Sequence, residues 1–222
     1  MPNFIGVSGL AGAGKDLFCS EVKNFYSKNK NLGRQVHVLS LAKKLKEDVR
    51  QSCLDIYEID SVSASREEKN KIRDLLVFYG DVMRQKSKGS HWVKKLNKEV
   101  SLMEKKGEIK DNDIVMVSDI RYSEFPKDEV QWIKQEGTLV HISKYVLLDN
   151  PFSSGYELAK QGYETVKHYD APPNKKERFN DPRVKEAADY LIDWPKFGDD
   201  SEQGTVQDYA KNFCDWFEKR IE

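Results

Sequence analysis

The stretch Gly9–Asp16, which reads GLAGAGKD, decides how the rest of the sequence is interpreted. It follows an apolar run over residues 4–7 and precedes a helical pattern that starts near Lys15. Glycines permit a tight turn with inward-pointing N–H groups, and the helix behind the turn adds unpaired donors and a positive dipole end. A lysine after such a loop reaches phosphate oxygens as a mobile charge. The order of strand, glycine loop and helix therefore predicts a phosphate-binding loop.

We expect this loop to bind the phosphate groups of a ligand. The residues assigned to this binding are Gly9, Ala11, Gly12, Ala13, Gly14, Lys15 and Asp16. Asp16 stands where such loops normally carry the Ser or Thr that ligates Mg²⁺. Because a carboxylate is also a hard oxygen ligand, Asp16 is expected to hold Mg²⁺ directly or through water. Two alternatives are a glycine turn without a ligand and a dinucleotide loop, although the glycine spacing differs from G-x-G-x-x-G.

The composition excludes several classes of protein. The 222 residues contain 37 Lys+Arg and 37 Asp+Glu, so the net charge of zero gives no field that would attract nucleic acid or an anionic membrane. The three cysteines are far apart and form no metal or disulfide pattern, which indicates a reducing compartment. The sequence shows neither a signal peptide nor an apolar run of about 20 residues. We expect a cytoplasmic protein.

The chain alternates between β-rich runs and helical periods, which predicts a three-layer α/β fold with a five-stranded parallel sheet. The strands are predicted at 3–8, 35–41, 113–119, 138–143 and 187–192. The helices are predicted at about 15–28, 42–53, 67–85, 90–103, 122–136 and 205–221. Gly80 is a possible break within the helix over 67–85. Ligands bind at the carboxyl ends of parallel strands, so the rim near residues 9–16, 42–44 and 119–121 should form the site.

Acidic and basic side chains on that rim suit phosphate chemistry. Asp119 follows an apolar strand, where it would hold Mg²⁺ through water, or else cap a helix. Arg121 would grip phosphate with its planar fork, or else form a surface ion pair. Lys43 is assigned to the substrate, although the lysines around it are also typical of a solvated helix face.

The helix over residues 67–85 is expected to carry the acceptor site. Arg73 and Arg84 lie about three turns apart on nearly the same face, flanking Gly80. They would clamp an acceptor phosphate, or else be solvated helix charges. Trp92 would stack on a base, or else pack in the core.

Residues 145–182 are rich in charge, glycine and proline, and show no clear apolar period. A long excursion inside a compact domain is typical of a lid. A lid excludes water and brings cations to the moving phosphoryl group. The lid cations are assigned to Lys175, Arg178 and Arg183, with Arg178 as a catalytic residue; ordinary surface charges are the alternative.

Several pieces, in order over residues 4–193, make the chain resemble the deoxynucleoside monophosphate kinases of bacteriophages, within the nucleoside monophosphate kinase superfamily. These pieces are Val7–Asp16, Leu39–Ala42 with the lysines that follow, Tyr79–Arg84 with Trp92, Val117–Tyr122 with Glu124, and Ala188–Ile192. The Gly-Lys-Asp ending of the loop, together with Asp-Ile-Arg-Tyr after the third strand, is the most specific part of the resemblance.

The resemblance implies a single kinase domain with strand order 2-3-1-4-5. Its core would comprise residues 1–44, 106–144 and 186–222, with an acceptor-binding insertion at about 45–105 and a lid at about 145–185. It implies ATP at the glycine loop and a deoxynucleotide near Arg84, Trp92, Asp119 and Arg121. The family usually has Ser or Thr after Gly-Lys-Asp, where this chain has Leu17, and often has Arg where this chain has Lys144.

We therefore expect transfer of the γ-phosphoryl group of ATP to a (deoxy)nucleoside monophosphate. Lys15, Asp16, Arg121 and Arg178 are expected to be catalytic, with ATP and Mg²⁺ as cofactors. The partners would be small nucleotides, with no nucleic acid and no membrane, and a homodimer is open because Trp132 or Trp216 would suit an interface if exposed. The alternatives are a P-loop kinase of another small acceptor, as in dephospho-coenzyme A kinases or small sugar and acid kinases, and a non-catalytic nucleotide-binding module.

Overall fold

The computed structural model describes residues 2–149, 165–196 and 203–221. The strands in these ranges are β1 (Asn3–Ser8), β2 (Val36–Leu39), β3 (Ile114–Ile120), β4 (Gly137–Asp149), β5 (Thr165–Tyr169) and β6 (Tyr190–Pro195). The helices are α1 (Lys15–Lys28), α2 (Leu41–Tyr57), α3 (Arg66–Lys71), α4 (Arg73–Ser87), α5 (Ser90–Lys105), α6 (Glu129–Glu136), α7 (Lys175–Ala187) and α8 (Gln203–Ile221).

The parallel part of the sheet has the order β2-β3-β1-β4-β6, which confirms the predicted order 2-3-1-4-5. The strand β3 is buried along almost its whole length, as a central strand covered on both faces must be. β4 runs on past this core, and its distal half pairs with β5 in antiparallel fashion from Tyr145 to Asp149. The antiparallel strand β5 was not predicted from the sequence.

Helices cover both faces of the sheet. On one face α1 packs against α8, with the rings of Phe18 and Phe213 5.3 Å apart. On the other face α2, α5 and α6 bury a second cluster that includes Leu96 and Ile133. Complete burial of a side chain such as Phe18 contributes about 2–3 kcal/mol, so each face contributes a large part of the stability.

Two predicted helices differ from those in the structure. The helix expected over 67–85 divides into α3 and α4 at Ile72, whereas Gly80 lies buried inside α4. A side chain at Gly80 would stand 2.7 Å from Leu45 Cδ1, so this glycine allows α2 to approach α4 closely. The helix expected from Tyr122 begins only at Glu129, because residues 122–128 form a loop tied to the Asp128 carboxylate.

The region assigned to a lid contains more regular structure than its sequence suggested. Residues 165–169 form β5, and residues 175–187 form α7, with Pro182 inside the helix. Residues 150–164 of the predicted lid lie outside the described residues. Among the helices that the structure describes, none has the length and apolar character needed to cross a bilayer.

The cysteines Cys19, Cys53 and Cys214 are unpaired and buried. Burial raises the pKa of the Cys19 thiol to about 12, and it also raises the pKa values of Cys53 and Cys214. The tryptophans named as interface anchors are not well exposed either. Trp132 is buried against Phe4, and Trp216 packs against Tyr190 at 4.8 Å between ring centroids.

Candidate active site

The glycine loop is held in a left-handed conformation between two strands. Gly9, Gly12 and Gly14 have φ angles of 131°, 82° and 92°. A Cβ at Gly9 would lie 2.3 Å from the Ile142 carbonyl oxygen in β4, and one at Gly14 would lie 2.6 Å from the Trp194 ring in β6. The loop therefore needs glycine at positions 9 and 14 both for its backbone angles and for its close packing.

Trp194 also anchors the loop by a hydrogen bond. Its indole Nε1 donates to the Ala13 carbonyl at 2.9 Å, and its side chain is almost completely buried. The loop is thus fixed by a residue near the carboxyl end of the last strand, 181 positions away in sequence.

Lys15 lies at the first position of α1, and its ammonium folds back over the loop. Nζ donates to the carbonyl oxygens of Gly9 and Leu10 at 2.8 Å each. Burial lowers the pKa of Lys15, and the positive charge of Arg121 adds to this effect, while Glu177 and Asp16 oppose it. A largely buried ammonium held by neutral carbonyls is a good partner for phosphate oxygens, because those oxygens offer it full negative charge.

The two carboxylates proposed for Mg²⁺ differ in their surroundings. Asp119 accepts hydrogen bonds from Ser40 Oγ and from the backbone N–H groups of Leu41 and Ala42, at 2.7–2.8 Å. It therefore caps the N-terminus of α2, and this structural role occupies most of its acceptor capacity. Asp16 is exposed in the first turn of α1, and the described residues give it no hydrogen-bond partner. Asp16 fits a metal better than Asp119 does.

A cavity of about 320 Å³ opens beside the loop, between α2, α4 and the end of β3. Its wall contains apolar side chains from α2 and α4 and several charged groups. The charged residues that line it are Lys46, Lys69, Arg73, Asp81, Arg84, Asp119, Arg121 and Glu129. Arg73, Arg84 and Arg121 thus line one shared cavity, and their assignment to substrate binding stays a prediction. A concave apolar site with a few convergent charges is the usual form of a small-molecule site.

Lys43, which the sequence analysis assigns to the substrate, does not line this cavity. Lys43 is exposed and lies 4.0 Å from Glu47, whereas Lys46 lines the cavity. Lys46 follows the cavity residue Ala42 by one helical turn, and Lys43 is rotated by about 100° from that face. Burial lowers the pKa of Lys46, and the nearby charge of Lys69 adds to this.

Arg84 is not a free clamp for an acceptor phosphate. Its guanidinium is buried and donates to Asp128 through Nε at 3.3 Å and through a terminal nitrogen at 2.8 Å. It also stacks on the Tyr122 ring, 3.5 Å from the ring centroid. Because Asp128 in turn accepts the backbone N–H groups of Glu124 and Phe125, this pair joins α4 to the loop after β3.

Trp92 belongs mainly to the core. It is 3% exposed, and its Nε1 donates to the Gly80 carbonyl at 3.4 Å. Its ring meets Tyr79 edge to face at 6.0 Å between centroids. Trp92 forms part of the cavity wall, but the structure offers no open face of this ring for stacking on a base.

The turn that carries Arg121 rests on a buried acid. Glu129 Oε2 accepts the backbone N–H groups of Arg121 at 2.7 Å and Tyr122 at 3.2 Å. Burial raises the pKa of Glu129 to about 8 against the opposing bond from the Arg121 amide, and the charge of Asp119 adds to the rise. Glu129 was not identified from the sequence, where it looks like any charged residue at the start of a helix.

The helix α7 brings different residues to the site from those predicted. Lys175, Arg178 and Arg183 are exposed, and the Arg183 guanidinium lies over the Phe179 ring at 3.8 Å. The face of α7 that meets the site instead carries Lys176, which contacts Asp81, and Glu177. The helical geometry explains why Lys176 and Glu177 meet the site and the predicted residues do not, because side chains one or two positions apart on a helix point in different directions.

The comparison with models of protein families gives a match. Residues 7–138, which are more than half of the chain, match the sequence model of a family described as phosphomevalonate kinase. The chain belongs to the phosphomevalonate kinase family. The matched segment contains the glycine loop and all the residues that line the 320 Å³ cavity, whereas α7 lies beyond it.

Comparison with curated proteins gives no match. Among solved structures, a shikimate kinase from Acinetobacter baumannii in complex with shikimate is 12% identical, with 97% of this chain and 94% of that chain covered and a TM-score of 0.40. A Kti12 from Chaetomium thermophilum in complex with ADP-AlF3 is 14% identical, with 94% and 97% covered and a TM-score of 0.35. At these TM-scores neither likeness carries an argument about this chain.

Membership of the phosphomevalonate kinase family indicates a P-loop phosphotransferase that phosphorylates a small molecule with ATP. Kinases of this family generally use ATP and Mg²⁺. The expected resemblance to phage deoxynucleoside monophosphate kinases is not confirmed beyond this coarser level.

The two loop glycines Gly9 and Gly12 should respond differently to substitution. Gly9→Ala should lower the free energy of unfolding by about 3 kcal/mol or more. The new Cβ would collide with the Ile142 carbonyl oxygen, and alanine is also strained at the positive φ of this position. Gly12→Ala has open space around it and should cost only about 1–2 kcal/mol of backbone strain. Urea unfolding of both variants measures the difference; equal losses would contradict the packing of the loop.

The buried Glu129 predicts a pH dependence of stability. The ordinary pKa of a glutamate is 4.5, and the pKa of Glu129 in the folded protein is about 8. At pH values between these two, the folded state therefore holds a proton that the unfolded state has lost. The free energy of unfolding should therefore fall as pH rises from about 5 to 8, by an amount on the order of several kcal/mol.

Glu129→Gln keeps the acceptor oxygen and removes the titration, and so supplies the control. The difference in unfolding free energy between variant and wild type should increase steadily in urea titrations at pH 5, 6.5 and 8. A difference that stays constant with pH would show that Glu129 is ionised in the folded protein.

Proposed function

We propose that this chain transfers the γ-phosphoryl group of ATP to the phosphate of a small phosphorylated acceptor held in the 320 Å³ cavity. The observation that carries the proposal is the position of Arg121. Its side chain lines that cavity, and it lies close enough to Lys15 in the loop for its positive charge to lower the pKa of that lysine. This guanidinium would thus lie between a triphosphate bound on the loop and an anion bound in the cavity. Its side chain is 42% exposed, which leaves it accessible to both ligands.

Phosphomevalonate is the acceptor that the family suggests, and the charges in the cavity support an acceptor of this type. Phosphomevalonate carries a phosphate ester at one end and a carboxylate at the other, and its middle is a short aliphatic chain. The cavity offers Lys46, Lys69 and Arg73 beside the apolar wall of Leu45 and Leu76. Two anionic ends and an aliphatic middle match cations distributed around an apolar wall.

A nucleoside monophosphate is the second candidate, because the loop ending and the Asp-Ile-Arg-Tyr segment resemble those of deoxynucleoside monophosphate kinases. Two features of the cavity weaken it. Trp92 is turned into the core, and Arg84 is engaged by Asp128. The family model gives this acceptor no support.

The residues present can perform the transfer by positioning and electrostatics. The loop amides and Lys15 would hold the β- and γ-phosphates, and Arg121 would hold the acceptor phosphate in line with the γ-phosphorus. An acceptor phosphate oxygen forms the new bond to that phosphorus while the bond to the β–γ bridging oxygen breaks, so ADP leaves. No strong base is needed, since the acceptor phosphate already carries negative charge.

Asp16 would hold Mg²⁺, directly or through water, at the end of the loop. The ion, when bound, neutralises charge on the phosphate oxygens. Asp119 contributes more indirectly in this proposal, because it fixes the N-terminus of α2 beside the acceptor cavity.

A coupled assay that detects ADP tests this function directly. Phosphomevalonate, the common ribo- and deoxynucleoside monophosphates and dephospho-coenzyme A are each supplied with ATP and Mg²⁺. We expect turnover with phosphomevalonate, and we expect Lys15→Ala to lower it by at least about a thousandfold while Lys23→Ala, an exposed lysine on the same helix, leaves it unchanged. Turnover with a nucleotide alone would favour the second candidate, and ATP binding without any transfer would favour a non-catalytic module.

The lysines Lys46 and Lys43 provide a matched pair for the acceptor site. Lys46→Ala should raise the acceptor KM by about 10- to 100-fold, since a charge-assisted contact is worth about 1.5–3 kcal/mol. Lys43→Ala, three residues earlier on the exposed face of α2, should have no effect on KM. Steady-state kinetics with the acceptor varied at saturating ATP measures both; an equal effect in the two variants would place the acceptor elsewhere.

A further inference from the structure

A carboxylate lies where the loop should receive phosphate. Glu177, near the start of α7, accepts a hydrogen bond from the backbone N–H of Ala11 at 3.0 Å. Its other oxygen lies 3.6 Å from the Arg121 guanidinium, and the side chain is only 14% exposed. An anion so placed satisfies the same donors that a nucleotide phosphate would use, and it would repel that phosphate if it stayed.

Neighbouring residues of α7 fix this placement on the acceptor side. Lys176 contacts Asp81, which lines the acceptor cavity. Asn180 donates to Glu124 at 2.6 Å and accepts the backbone N–H of Ser123 at 3.3 Å. One face of α7 thus contacts both the glycine loop and the segment after β3, so the Glu177 contact is part of a wider interface.

We infer that Glu177 is a built-in competitor of the nucleotide, a carboxylate that occupies the phosphate-binding loop and must leave before a triphosphate binds. This inference rests on the proposed function, since it requires the loop to bind nucleotide. The competitor is tethered, so its local concentration is high and constant, and it lowers the apparent affinity for any phosphate chain that needs the same amides and the same arginine.

The contact between Glu177 and the loop also stabilises the loop when no nucleotide is bound. Glu177 accepts the Ala11 amide of the loop. Its negative charge also raises the pKa of Lys15 against the effects of burial and of Arg121. Glu177 therefore balances the positive charge of the loop until a phosphate replaces it.

Titration calorimetry with ADP, and separately with inorganic tripolyphosphate, tests the inference on the whole chain. Glu177→Gln removes the charge and keeps a similar shape, and Glu177→Ala removes the contact. Both should bind ADP and tripolyphosphate about 3- to 30-fold more tightly than the wild type. The control is Glu186→Gln, an exposed acid on the same helix, which should bind as the wild type does.

The outcomes are distinguishable. If both Glu177 variants bind ADP and tripolyphosphate with the same affinity as the wild type, or more weakly, this inference alone is overturned. Glu177 would then be neutral toward nucleotide binding or would support it. If neither the wild type nor any of the three variants binds nucleotide, the proposed function and this inference are overturned together. Thermal unfolding of each variant establishes that it is folded, which is expected because the backbone N–H of residue 177 remains capped by Asn174.

Discussion

The close packing of the glycine loop between β4 and β6 is the constraint on which the rest of the site depends. Gly9 touches the backbone of Ile142, and Gly14 touches the ring of Trp194. The loop can take this shape only if β4 lies beside β1 and β6 lies beside β4, which is the observed order of the sheet. The position of Lys15 and the direction of the loop amides therefore follow from the topology of the whole domain, as well as from the local glycine pattern.

The acceptor side depends on buried charge. Arg84 and Asp128 form a desolvated pair, and its carboxylate also holds the backbone that leads from Arg121 to α6. Removing one partner of such a pair costs about 3–5 kcal/mol, because the other charge is left buried and uncompensated. Glu129 supports the same turn as a buried acid. The cavity wall is thus held firmly where α4 meets this turn, while the Arg121 side chain at the start of the turn stays more exposed.

The sequence predicts the parts of this protein that local patterns encode. Periodicity and spacing predict the strand, the glycine loop and the helix at the N-terminus, and they also predict the parallel sheet. The partner of Arg84 was not anticipated, since Asp128 is 44 residues away. Glu177 is 166 residues from Ala11, and no local pattern connects them. Lys46 lies on the face of α2 that also carries Ala42 and Leu45, whereas Lys43 lies off that face, so helical phase decides which lysine meets the cavity.

The burial of every cysteine has a practical consequence for experiments on this chain. Cys19, Cys53 and Cys214 are shielded from solvent, and their raised pKa values keep the thiolate population very low at neutral pH. A maleimide dye or spin label should therefore react slowly with the natural protein. A single cysteine introduced on an exposed surface would carry the probe selectively, without prior removal of the native thiols.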